Sequence, residues 1–408
     1  MNSSNGLRVV VTGIGSISPL GHNAVDFWDA LSNGRSGIGT TTCVDPALLN
    51  IKICAEVKNY DPLTHFSDRE LLLLDRFSQF ALIAAKEAIA DSGLDFRSDL
   101  GIETACITGT GAGGFITLDE SFEKMYRQKA QRIHPMTIPH QMVSAATSQI
   151  TMKHGIRGPS YSVSSACSSA NHAIGDAYWM IRAGRARAAV TGGSEASLTL
   201  GAIRAWESVR VMAPDTCRPF TKNRKGMVLG EGAGIVVLEE LEHAKKRGAR
   251  IYAEVCGFGM SADAGDIVVP SEDGAAAAMR QAIKTSGLNA DQFDYINAHG
   301  TGTGANDGCE TRAIKKAFGE HARKLAISST KSMHGHALGG AGAIEMVGVV
   351  KAVAEGVMPP TANYDVPDPE CDLDYVPNTA RRKPIHGALS NSFAFGGLNA
   401  VVALKKFS

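Results

Sequence analysis

Cys167 stands in the stretch YSVSSACSSANHAIG, residues 161–175. Tyr161, Val163 and Ser165 alternate with serines there as in a short strand, and Ile174, Ala177, Tyr178 and Ile181 then recur at helical spacing. The pattern predicts a strand turning into a helix at Cys167. A sulfur displayed at such a turn faces the unpaired backbone N–H groups of a helix start, which favour a thiolate and can receive a developing oxyanion. The competing use of a lone cysteine is structural, in the core. His299 lies in NAHGTGT (297–303), and Lys331 and His336 lie in KSMHGH (331–336). Two histidines, a lysine and a cysteine suit nucleophilic catalysis with proton transfer or oxyanion support. Zinc is the other use of histidine plus cysteine, but no pair here has the helical or CxxC spacing that such sites favour.

These residues need strands to hold them. Apolar runs predict strands over 7–12, 104–110, 186–191, 235–238, 251–255, 293–297 and 325–328, with a last strand pair around Leu389 and Val401. Helical spacing predicts helices over 24–32 (Asn23 as N-cap), 71–92, 239–247, 275–286, 307–318 and 341–355. Both histidine loops then follow strand ends, and polar residues at the ends of parallel strands converge on one crevice. Strands alternating with helices mean an α/β fold with largely parallel sheets. The element order repeats in kind from Gly257, so two halves are expected, 1–256 carrying the cysteine and 257–408 carrying the histidines and lysine. Gly13 and Gly15 after the first strand lack the third glycine of a nucleotide fingerprint and read as a tight turn. Leu71–Leu74 would lie in the core or at a subunit interface, and the basic residues Lys124, Arg127, Lys129 and Arg132 read as a solvated face.

Composition excludes several classes. Forty-one basic and forty-one acidic residues in 408 leave no net field to recruit nucleic acid or an anionic membrane. Eight cysteines without a CxxC pair argue against a disulfide scaffold and for a reducing compartment. The start MNSSNGLRVVVTG lacks the basic residues and long apolar core of a signal peptide, so a soluble cytoplasmic protein is expected.

The chain resembles the β-ketoacyl-[acyl-carrier-protein] synthases, above all the type II condensing enzymes of bacterial fatty acid synthesis, over essentially its whole length. The motifs are SSACSSA around Cys167, RPFTKNRKGMVLGEGAG from Arg218, NAHGTGT at His299, STKSMHGHALGGAGAIE from Ser329 and NSFAFGG from Asn391. The resemblance implies a thiolase-like αβαβα fold, a homodimer (a heterodimer being the variant), and decarboxylative condensation of an acyl chain with malonyl-carrier protein. It implies that Cys167 takes the acyl group as a thioester and that His299 and His336 promote decarboxylation and stabilise the enolate. It further implies that Lys331 and Glu345 tune and orient that pair, and that the backbone N–H groups of Cys167 and Phe395 form the oxyanion hole. Phe395 would also gate the pocket, with Phe393 nearby, and Thr301 and Thr303 would hold the phosphopantetheine arm. No cofactor would be bound by the enzyme itself, though some relatives hold a monovalent cation near the matches to Asn297 and Glu345.

Departures from the housekeeping pattern bear on substrate. Ala112 replaces a bulky residue at the acyl-pocket floor, which suggests a deeper pocket for longer or polyunsaturated chains. Met227 stands for a phenylalanine near the malonyl site, Lys225 for an aspartate, Gly302 and Gly304 for a serine and a proline, and Ala394 for a glycine beside the gate. DAGDIVVP (263–270) and SMHGH look more like the specialised nodulation-factor ketosynthases. The acidic carrier would dock on basic residues, with Arg69, Arg76, Lys124, Arg127 and Arg204 as candidates. The expected activity is therefore condensation in fatty acid elongation, or alternatively in a dedicated specialised chain. A non-catalytic chain-length partner would have lost the nucleophile, and a degradative thiolase would carry a second cysteine as base.

Overall fold

The structure, a computed structural model, describes residues 6–407. Met1–Asn5, on which part of the signal-peptide reading rests, lie outside the described residues. Ten strands form one continuous sheet: β1 (Val9–Ile17), β2 (Thr104–Gly109), β3 (Ser160–Val163), β4 (Ala188–Glu195), β5 (Gly232–Glu240), β6 (Ala253–Ala262), β7 (Tyr295–Asn297), β8 (Ala326–Ser328), β9 (Gly387–Phe393) and β10 (Leu398–Lys405). The helices that matter to the site are α1 (Ala24–Ser32), α2 (Arg76–Ser92), α3 (Phe115–Phe122), α4 (Ser169–Arg182), α5 (Leu200–Val209), α6 (Glu272–Ser286), α7 (Gly304–Phe318) and α8 (Ala341–Glu355).

The spatial order is β8-β7-β9-β10-β6-β1-β5-β4-β2-β3. Counted from the centre outwards, each set of five runs first, fifth, fourth, second, third, so the two halves repeat one topology. The seam is short, with Val9, Val10 and Val11 of β1 pairing antiparallel with Val255, Glu254 and Ala253 of β6. Helix α2 covers the outer face of the first five strands, and α6 with α7 cover that of the second. Between the two sets lie α4 and α8, apolar or small around most of their surface because both sides meet a sheet. The result is the five-layered, thiolase-like α/β arrangement.

Expectation and structure differ in three places. The sheet is not largely parallel by pairing: β8–β7, β7–β9, β4–β2 and β2–β3 are parallel, while the fifth strand of each half runs antiparallel to both neighbours. The alternation of strands and helices hides this, because β10 returns from β9 by a tight turn and β5 is reached by a long excursion. Second, the helix expected over 71–92 starts only at Arg76. The buried Asp75 carboxylate accepts the Phe77 N–H as N-cap and also takes the Thr117 N–H (2.9 Å) and hydroxyl (2.6 Å), which fixes the break. Leu74 thus enters the core, and Leu72 and Leu73 remain exposed. Third, β5 runs on to Glu240, whose side chain caps the short helix Leu241–Lys246, so the charged helix is shorter than expected.

Candidate active site

The turn that carries Cys167 is built from the small residues around it. The chain leaves β3, Ala166 takes a left-handed φ of 51°, and Ser168 precedes the first turn of α4. The serines lock this strained turn: Ser169 Oγ accepts the Ser165 N–H (2.9 Å) and donates to the Ala166 carbonyl (2.6 Å), and Ser168 Oγ donates to the Ser165 carbonyl (2.8 Å). Cys167 therefore sits at the strand-to-helix turn, as expected. Its charge state differs from expectation. Burial pushes the thiol up to about 11, and neither the Lys331 charge nor the backbone N–H groups of Phe395 and Cys167 itself offset that desolvation. The helix start is outweighed, and the resting group is a neutral thiol.

His299 follows the last residue of β7, and His336 follows the short helical turn Lys331–His334 beyond β8. The neighbouring parallel strands bring the rings to a centroid separation of 5.4 Å at 82°. Burial and the Lys331 charge hold both imidazoles well below their ordinary range, so both are neutral. His336 Nδ1 accepts the Leu338 N–H at 3.1 Å, which leaves the ring proton on Nε2 as a donor. Lys331 Nζ donates to the His299 carbonyl at 2.7 Å and to the Glu345 carboxylate at the start of α8. Lys331 and Glu345 thus lie behind the histidines rather than facing a cavity. Glu345 is pushed up to about 7 by burial, with Lys331 acting against it.

Three buried carboxylates escaped sequence reading. Glu310 on α7 accepts the backbone N–H groups of His299 (2.9 Å) and Gly300 (2.8 Å) and the side-chain amide of Asn391 (3.1 Å). Asp307, one turn earlier, accepts from Phe220 N (2.7 Å) and Gly302 N (3.2 Å). Together they hold the histidine loop, whose Gly300 leaves only 2.5 Å between an added Cβ and Ser329. Glu195, at the end of β4, accepts the N–H groups of Gly111 (2.6 Å), Ala112 (3.1 Å) and Gly339 (3.0 Å), and burial pushes it up to about 7. A signal existed for two of them: Asp307, Glu310, Thr311 and Ile314 share one face of α7, and acids within an apolar stripe mark a buried polar anchor.

Two cavities meet at Cys167. One, of about 260 Å³, is lined by Cys167, His299, His336, Phe393, Phe395 and Met227, and it extends past Thr301 and Thr303. The threonine hydroxyls lie 2.8 Å apart. The other, of about 240 Å³, lies beyond Cys167 between Ala112, Phe115, Ala202, Ala205 and Leu338. Cys167, Trp206 and Phe395 belong to both. Of the residues expected at the site, only Lys331 and Glu345 line neither. Trp206 was not foreseen. Among the docking candidates, Arg69, Lys124, Arg127 and Arg204 are exposed, Arg204 while donating to the Leu48 carbonyl, but Arg76 is engaged by the buried Glu231 carboxylate through two hydrogen bonds (2.7 and 2.9 Å). Arg76 is half-buried, and its bidentate pair with a buried acid leaves it little reach.

A cysteine at a strand-to-helix turn, two neutral histidines and a lysine–glutamate pair, set between the halves of a thiolase-like fold, define a condensing enzyme of the acyltransferase type. The family models agree: residues 7–244 match the β-ketoacyl synthase N-terminal domain and residues 252–365 the C-terminal domain. The chain belongs to the β-ketoacyl synthase family. It is 48% identical over 399 residues to nodulation protein E of Rhizobium sp. (strain N33), covering 98% of this chain and 99% of that one. It is 43% identical over 408 residues to 3-oxoacyl-[acyl-carrier-protein] synthase 2 of Synechocystis sp., covering 98% of each. Among solved structures it resembles the ishigamide ketosynthase/chain length factor, with a TM-score of 0.94, 35% identity and coverage of 99% and 100%. It also resembles a type II polyketide ketosynthase in complex with its acyl-carrier protein and bound to the hexaketide, with a TM-score of 0.89, 32% identity and the same coverage.

Proposed function

We propose that this chain catalyses decarboxylative condensation of an acyl group held on Cys167 with malonyl-carrier protein, giving the 3-oxoacyl-carrier protein and CO₂. The observation that carries the reading is the meeting of two cavities at one thiol, one past the histidine pair and one behind it. The acyl thioester arrives on a phosphopantetheine arm lying along Thr301 and Thr303. The Cys167 sulfur attacks its carbonyl, the oxyanion faces the N–H groups of Cys167 and Phe395, and the thiol proton leaves on the departing pantetheine thiol. The chain then occupies the cavity at Ala112. A malonyl thioester follows on the other side, where neutral His299 and His336 donate to its carbonyl oxygen. That charge stabilisation lets CO₂ depart and leaves an enolate. The enolate carbon attacks the acyl thioester, the C–S bond to Cys167 breaks with its electron pair on sulfur, and the released thiolate takes one proton from solvent. Lys331 and Glu345 orient the pair, and Phe395 with Phe393 gates the passage.

The acyl chain is long or unsaturated, and the pathway is either fatty acid elongation or a dedicated specialised chain. Ala112, Ala202 and Ala205 all line the second cavity, and three alanines there favour the dedicated reading. No cofactor is needed beyond the arm on the carrier. The buried carboxylate oxygen of Glu345, without a hydrogen-bond partner, has the chemistry to hold a monovalent cation near Asn297. We assign the halves 1–256 and 257–408 to the nucleophile and the histidine–lysine set respectively. The working form is a homodimer, or a heterodimer with a related chain, joined along the edge strand β3, and its place is the cytoplasm. Purified protein given malonyl-carrier protein and a ladder of acyl-carrier proteins tests this, with products weighed intact. Cys167→Ala should lose all condensation and keep malonyl decarboxylation; unchanged condensation overturns the proposal.

A further inference from the structure

We propose that Trp206 is a specificity-determining residue: a fixed wall against which Phe395 closes, separating the acyl cavity from the cavity of the histidines. The inference rests on the condensation reading above and adds a residue to it. Helix α5 turns one face to the acyl cavity, since Ala202, Ala205 and Trp206 fall at i, i+3 and i+4. The two alanines leave room there and the indole fills it. Trp206 also lines the first cavity, so the ring stands in the passage that a growing chain must clear. Its centroid is 5.8 Å from that of Phe395, with 34° between planes, a contact distance for an aromatic pair.

The two rings differ in what holds them. Phe395 sits in the β9–β10 turn, off any helix, followed by Gly396 and Gly397 with φ of 81° and 70°, a backbone conformation that residues with a side chain rarely adopt. Trp206 sits on a helix pinned through the next residue, because the Glu207 carboxylate accepts the N–H groups of Asn50 (2.8 Å) and Ile51 (2.7 Å). With the gate role proposed above for Phe395, Phe395 is the moving partner and Trp206 the stop. Replacing the stop by a smaller side chain joins the cavities and removes the penalty on chains that overfill the inner one.

The test measures acylation of Cys167 alone, by intact mass, using a short and a long saturated acyl-carrier protein with no malonyl donor. In Trp206→Leu the long-to-short rate ratio should rise by about tenfold or more, the size of a pocket-limited discrimination. Trp206→Phe, which keeps an aromatic stop, should stay near the parent. An unchanged ratio in Trp206→Leu, with Cys167 still acylated, overturns the inference. No acyl adduct on the parent enzyme overturns instead the condensation reading. Should Trp206→Leu not fold, the parent fold supplies a second readout, since the chain has three tryptophans. In Trp28→Phe/Trp179→Phe, the fluorescence of Trp206 should change in step with acylation; a constant signal overturns the proposal.

Discussion

Burial holds the thiol of Cys167 neutral, and this decides how it reacts with a reagent that carries no proton acceptor. Alkylation by iodoacetamide, followed by peptide mass, should rise about tenfold per pH unit from pH 7 towards 11, because only the thiolate reacts. A plateau near pH 8 would mean that the helix start and the Lys331 charge prevail over desolvation. Glu195 allows a second test. Its carboxyl is pushed from 4.5 to about 7, so the native state keeps a proton that the unfolded chain releases. Stability is therefore lost as pH rises from about 4.5 to about 7, and Glu195→Gln, which does not titrate, should gain relative to the parent across that window. The gain is on the order of 2 kcal/mol by urea unfolding at pH 5 and pH 8; a constant difference would sink the assignment. Single residues were legible where chemistry is local. Cys167, His299, Lys331 and His336 each stand beside a strand or helix end that the sequence marks. Glu195 and Trp206 work across more than a hundred residues of chain, as with Glu195 and Gly339 or Trp206 and Phe395, and no local pattern carries such a contact.

Elements were legible in proportion to their packing. Helix α8 was expected over 341–355 and is found as Ala341–Glu355, since an apolar helix between two sheets shows no competing signal. Helix α2 was read five residues too long because four leucines look helical, while the tertiary contact of Asp75 with Thr117 that stops it is invisible locally. That cap can be weighed. Asp75→Ala removes the N-cap and strands two Thr117 donors, and should cost about 1–2 kcal/mol in urea unfolding. A change within experimental error would show that the break is set elsewhere, for instance by Leu74 in the core. The direction of the fifth strands was likewise beyond the sequence, because alternation gives the number of strands but not which neighbour each one finds.

At the scale of the molecule, β3 ends the sheet with a free row of backbone groups and a partly exposed Tyr161. A free edge is an invitation to pair even at four residues, and here a second copy is the partner we expect. Ser162→Pro removes one donor from that edge, because the N–H of Tyr161 faces β2, and should shift the protein towards monomer in sedimentation at micromolar concentration; an unaltered mass would place the subunit contact on another face. At the centre of the sheet, the seam between the halves is only three residue pairs long, yet it continues one sheet from β3 to β8. Each half is therefore the other's edge protection. A duplicated gene built this way cannot shed one copy, because the survivor would carry a raw strand, β1 or β6, into solution. Inheritance has bound the two repeats together more tightly than their three shared rungs suggest.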